Sequence, residues 1–302
     1  MKKTKKAVYA PKDFDEACLP HNRRQQLKFI FKTRRPLFLL IGLVLFAFAL
    51  PLLISWLLCD FNISNAYNLY EAAELTEPEF FNFYFTNTLI FTAIGIPFFM
   101  VFAIGLAGAF GIFKNLLFGK PVFFKHDFIK GIKNNWKSFI LTSFVIGVFT
   151  ALLALLLKMV GPSLWFFVYG AIFLLFITPF LVNIYYYKSV YNAGIGLTIK
   201  NSVQFLIITN IKSILLVLGL ILIPAVSNLL AMLLIITPMI NEFINVAFFI
   251  FLLPWLLMIV YSYYYSVFDE KINKLNYPNY YLIGLYNQQI VEDKSDENKV
   301  QE

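Results

Sequence analysis

His126 and Asp127 stand side by side next to Lys125, three side chains able to hold, give or take a proton. Acid–base chemistry needs such groups to converge on one atom. Neighbours on a helix point about 100° apart, so these do not converge, and His126 reads as a solvated or headgroup-facing residue. His21 is the only other histidine and sits in a basic arm. The two cysteines, Cys18 and Cys59, lie on either side of the first apolar block. They cannot pair with each other, and they supply no metal cluster. The chain contains no Gly-rich phosphate loop, no His-Glu-x-x-His and no nucleophile elbow. No residue is therefore expected to be catalytic, to bind a cofactor or to ligate a metal, and the protein is not expected to be an enzyme.

The polar side chains inside the apolar blocks are neutral: Thr150, Asn183, Asn228 and Asn245. Ion-coupled transporters keep ionisable groups within the bilayer, where only function justifies their cost. Neutral amides more often join helix to helix, at about 0.6 kcal/mol on average. Asn228 follows Pro224 by four residues in an otherwise apolar stretch. Asn183, Asn228 and Asn245 are expected to make intramembrane polar contacts of this kind, the alternative being ligands for a neutral solute.

The elements that must position these residues follow from composition. The chain has 302 residues, 60% hydrophobic and 14% charged, with 35 Phe. Soluble domains are nearer half apolar and a quarter charged. The excess falls in blocks longer than the roughly 20 residues that cross a bilayer core. Six spans are expected, at residues 36–58, 83–113, 138–157, 164–187, 213–236 and 243–268. The fold class is thus all-α polytopic membrane protein. A β-barrel is excluded, since its strands would be short and alternating. The first block is also too long for a signal peptide.

The net charge of +8 does not indicate nucleic acid, because the basic residues flank the spans. Of the 25 Lys and Arg, only Lys158 lies outside residues 1–35, 114–137, 188–212 and the tail from Asp269. Residues 59–82 hold Asp60, Glu71, Glu74, Glu77 and Glu79 and no base. This is the positive-inside pattern. It predicts a multi-pass plasma-membrane protein with both termini cytoplasmic. The domains follow: a basic arm at 1–35, a transmembrane domain at 36–268 with an acidic outer loop at 59–82, and a tail at 269–302. The polar end of that tail is expected to be disordered.

Between spans lie cationic amphipathic segments, at residues 123–137 and 196–211. In the first, Phe124, Phe128, Ile132 and Trp136 recur every four residues, with Lys125, Lys130, Lys133 and Asn134 on other faces. In the second, Ile199, Val203, Leu206 and Ile207 oppose Lys200, Asn201, Ser202 and Gln204. The first is expected to lie flat on the membrane and turn inward near Lys137. Phe128, Lys130, Ile132, Lys133 and Trp136 would then contact either anionic inner-leaflet lipids or a protein partner.

The six spans read as three helical hairpins. Asn135-Trp-Lys-Ser opens the third span and Asn210-Ile-Lys-Ser the fifth. Ile96-Pro97-Phe98, Thr178-Pro179-Phe180 and Leu253-Pro254-Trp255 place one proline in each of the second, fourth and sixth. Each proline removes a backbone donor and should kink its span.

The run from Gly95-Ile-Pro-Phe through Lys114 and Gly119-Lys into His126-Asp-Phe-Ile-Lys-Gly-Ile-Lys-Asn-Asn-Trp-Lys resembles the YesL-like family of bacterial integral membrane proteins. Residues 191–216 are similar to that family's later cytoplasmic helix. The long basic arm, the acidic loop and one extra span depart from its pattern. The resemblance implies a bacterial plasma membrane and an association with sugar uptake and sensing. It implies no activity and no catalytic residue. The functional expectation is a non-enzymatic accessory or scaffold component of a transport or sensing system. The alternatives are a transporter of a neutral or amphiphilic solute and, third, a lipid-modifying membrane enzyme.

Overall fold

The structure, a computed structural model, describes residues 19–161, 163–191, 193–194, 196–207, 215, 219 and 238–286. Among these residues the regular structure is helical, with no strand. The helices are α1 (Arg23–Thr33), α2 (Arg35–Glu71), α3 (Glu77–Leu117), α4 (Phe124–Val160), α5 (Leu164–Val190), α6 (196–207) and α7 (238–276). Five are long and apolar enough to cross a membrane: α2, α3, α4, α5 and the Phe243–Asn276 part of α7. The protein is membrane-embedded. The expected span at 213–236 lies outside the described residues except for positions 215 and 219.

The chain divides into two compact units. The membrane unit holds Pro36–Lys114 and Val122–Tyr261. The polar unit holds Met1–Arg35, Asn115–Pro121 and Ser262–Glu302.

Within the membrane unit, α4 corrects one expectation. It runs 37 residues without a break, so the chain does not turn at Lys137. At 1.5 Å per residue that is about 55 Å, well over the roughly 30 Å of a bilayer core. Nothing between residues 124 and 137 breaks a helix, and of the apolar row only Phe128 is buried, while Trp136 stays exposed. Gly111 and Gly131 let the backbones of α3 and α4 approach so closely that a Cβ on Gly131 would lie 2.8 Å from the Ala107 carbonyl oxygen.

The acidic loop is also largely helical. α2 continues to Glu71 and α3 starts at Glu77, which leaves a short turn in which Ala73 adopts a φ of 59°. Thr76 starts α3 in a capping box: its N–H and its hydroxyl both donate to Glu79 Oε2, at 2.8 and 2.7 Å. Tyr67, Tyr70 and Phe80 stack across the turn. The Thr-x-x-Glu signal stood in the sequence beneath the acidic composition.

Pro51 and Pro97 sit inside continuous α-helix, whereas Pro179 and Pro254 follow π-turns. Pro179 and Pro254 cannot donate to the fourth carbonyl back. In each case the helix slips just before them, over Phe173–Ile177 and Phe248–Leu252, and the next N–H reaches five residues back. Thr178 adds its hydroxyl to the Phe173 carbonyl, at 2.9 Å. Such insertions re-satisfy backbone groups that lipid cannot. The core beside them is aromatic: Phe110 packs on Phe139, Tyr186 and Tyr261.

Candidate functional sites

The polar unit is built around an ion pair that the sequence did not announce. Asn22 caps α1 by accepting the Gln25 N–H, which sets the helix start at Arg23. Arg23 then donates to Asp269 Oδ2 from Nη2 at 2.6 Å and from Nε at 3.0 Å. Both side chains are buried, at 8% and 5% exposure. The remaining Arg23 donors reach Gln26 Oε1 and the Ile283 carbonyl, at 2.8 and 2.9 Å. The guanidinium also lies 4.5 Å over the Tyr265 ring. Asp269 Oδ1 accepts from Asn273 and from the Leu282 N–H, at 2.9 and 3.2 Å. Gln26 ties the set to the Leu117 and Gly284 carbonyls. Gly284 has a φ of 80° and no room for a Cβ against Leu117. The tail is folded as far as residue 286, and its polar end, the part expected to be disordered, lies outside the described residues. The pair is held by hydrogen bonds on both sides, as in a structural lock.

The cationic face of α4 lies in the membrane unit. Of the residues expected to contact lipid or a partner, Lys130, Lys133 and Trp136 are exposed, and Lys137 Nζ lies 5.6 Å from the Trp136 ring. Ile132 is half-buried. Phe128 is not available as an anchor: it is 7% exposed, packed in the space that a side chain at Gly108 would need, with its ring against Phe48 and Phe124. The face that α4 buries comprises Asp127, Phe128, Gly131, Asn135 and Phe139. The four-residue apolar row was legible. The smaller Gly131 beside it, which sets the real contact with α3, was not weighed.

Asp127 accepts the Phe123 N–H at 2.8 Å and lies 3.0 Å from His126 Nδ1. It serves the start of α4, and His126 stays exposed. α6 behaves like α4. It buries Thr198, Ser202 and Phe205 and exposes Ile199, Val203 and Ile207, and Asn201 donates to the Tyr187 hydroxyl at 2.6 Å.

The intramembrane amides divide. Asn183 is 2% exposed, with neither side-chain polar atom hydrogen-bonded among the described residues. Asn245 is half-buried, and Asn228 lies outside the described residues. Thr150 does reach a cavity. This cavity, of about 450 Å³, opens between α2, α3 and α4. Its wall is mostly apolar, with Asp60 as the one charged side chain among the described residues. Cys59 is buried on the same wall. Sequence reasoning missed the cavity because its residues come from three helices at no common spacing. Among the described residues no group of three or more His, Cys, Asp or Glu is arranged to hold a metal.

No protein-family model, no curated protein and no solved structure matches this chain.

Proposed function

We propose that this is a non-enzymatic plasma-membrane protein that serves a transport or sensing system by docking a partner on the cationic face of α4. The rigidity of that face carries the reading. Gly131 brings α4 onto α3 at backbone distance, so Lys130, Lys133 and Trp136 are exposed on a continuous helix. A pre-ordered surface saves the ordering cost that weakens most interfaces. Its charge suits a protein domain with an acidic face, and screening within about 8–10 Å makes the attraction sensitive to salt. A photocrosslinker at Lys133, in the cells that make the protein, is expected to give one discrete protein adduct. Lys130→Glu with Lys133→Glu should remove that adduct while membrane insertion persists. Adducts to lipid alone would reject the reading.

The finer architecture belongs to the same proposal. Of the six spans in three hairpins, the likeness of the fourth and sixth is supported by the matched π-turns, each ending two residues before Pro179 or Pro254, while Pro97 in α3 has none. The charge pattern supports cytoplasmic termini. Cys59 is too buried to report on this, so the test uses a Glu74→Cys variant on a background with both Cys18→Ala and Cys59→Ala. Its thiol should react with an impermeant maleimide from outside the cell, and labelling only after lysis would reverse the orientation. Membership of the YesL-like family rests on the quoted motifs and is part of this proposal.

A second reading is carriage of a neutral or amphiphilic solute. The cavity between α2, α3 and α4 favours it.

A further inference from the structure

We propose that the cavity between α2, α3 and α4 is a binding site for a small lipophilic organic cation. The site is independent of the docking reading, since a bound cation serves equally as signal or as cargo.

The cavity forms beside Gly95, which leaves room. A Cβ at Gly95 would meet only Leu52 Cδ1, at 3.6 Å, while one at Gly147 would meet Ile96 at 3.0 Å. Its volume of about 450 Å³ falls in the range that holds drug-sized molecules. Leu52, Ile63, Ile96 and Ile146 make it a poor place for a compact, strongly hydrated ion.

The wall also selects a sign. Trp56, Tyr84, Phe91 and Phe99 contribute rings, whose faces attract a cation within about 6 Å. Thr88, Thr92 and Thr150 donate their hydroxyl protons to the carbonyls of Tyr84, Thr88 and Ile146, at 2.9, 2.6 and 2.9 Å. A ligand therefore meets their lone pairs. Among the described residues no Lys, Arg or His lines the cavity. Asp60, exposed at the rim of the wall, supplies the formal charge, and no hydrogen bond or ion pair is seen for its carboxylate among the described residues. The neighbouring chain from residue 59 to 82 carries four further acids and no base, which adds a field of the same sign. An anion would find acceptors and no counter-charge. A neutral apolar molecule would fill the walls but cover Asp60 without pairing it.

The test uses the full-length protein in lipid nanodiscs and three shape-matched probes: tetraphenylphosphonium, tetraphenylborate and triphenylphosphine oxide. Tetraphenylphosphonium should raise the melting temperature saturably, and the anionic and neutral probes should not. Asp60→Asn is expected to weaken that response at least roughly tenfold. Gly95→Leu, which places a side chain in the cavity, should abolish it. Equal stabilisation by the neutral probe would identify an acyl-chain pocket and overturn the proposal. An unchanged response in Asp60→Asn would do the same. The comparison of cation with anion needs no variant and decides the matter alone if either substitution prevents folding.

Discussion

Asp269→Ala is expected to lower the stability of the polar unit by about 3–5 kcal/mol, because it strands the buried Arg23 guanidinium without its counter-charge. Arg23 would keep the Gln26 oxygen and the Ile283 carbonyl, which are dipoles and only partly compensate. The loss extends further, because Asp269 also holds Asn273 and the Leu282 N–H. Limited proteolysis should then cut within residues 262–286, while the membrane unit keeps its melting transition. The pair is 246 residues apart in sequence, so its removal frees long segments. Arg23→Met with Asp269→Leu should recover most of the loss, since well-packed apolar replacements of buried pairs are often neutral or stabilising. If Asp269→Ala left proteolysis unchanged, the polar unit would not depend on this pair.

The second large effect concerns two glycines on membrane-crossing helices. Gly42 of α2 faces the backbone of Ile250 in the π-turn of α7, and a Cβ there would overlap the Ile250 carbonyl. No side chain can swing away to relieve that overlap. Gly42→Ala should therefore cost about 1–3 kcal/mol or more, as overpacking does. Gly95→Ala meets only a leucine methyl at ordinary distance. It should be neutral or gain up to about 1 kcal/mol from helix propensity. Melting curves of the two variants in one detergent provide the check. Equal behaviour would mean that α2 and the α7 π-turn do not meet as described.

The contrast between these glycines marks what a sequence exposes. Apolar blocks of membrane length are visible because lipid demands them along one contiguous stretch, and α2, α3, α4, α5 and part of α7 follow suit. The row of Phe128, Ile132 and Trp136 was visible too, but periodicity states only that residues share a face. It does not say what covers that face. Whether lipid or α3 takes it depends on Gly108, Gly111 and Gly131 meeting across two helices, a long-range fact. Asp269 looked like the start of a polar tail because its partner is at the other end of the chain. Asp60, Thr88 and Thr150 line one cavity from three helices, and no local pattern joins them. Prolines 179 and 254 are visible in the sequence, but the π-turns that precede them are not.

The central claim is that this protein acts by binding, through partners, and carries out no transport of its own. Flux of tetraphenylphosphonium into proteoliposomes holding the purified chain alone tests it most directly. The account predicts binding to the protein with uptake no faster than in protein-free liposomes. Saturable uptake that depends on the protein and falls in Asp60→Asn would contradict it and establish the carrier reading.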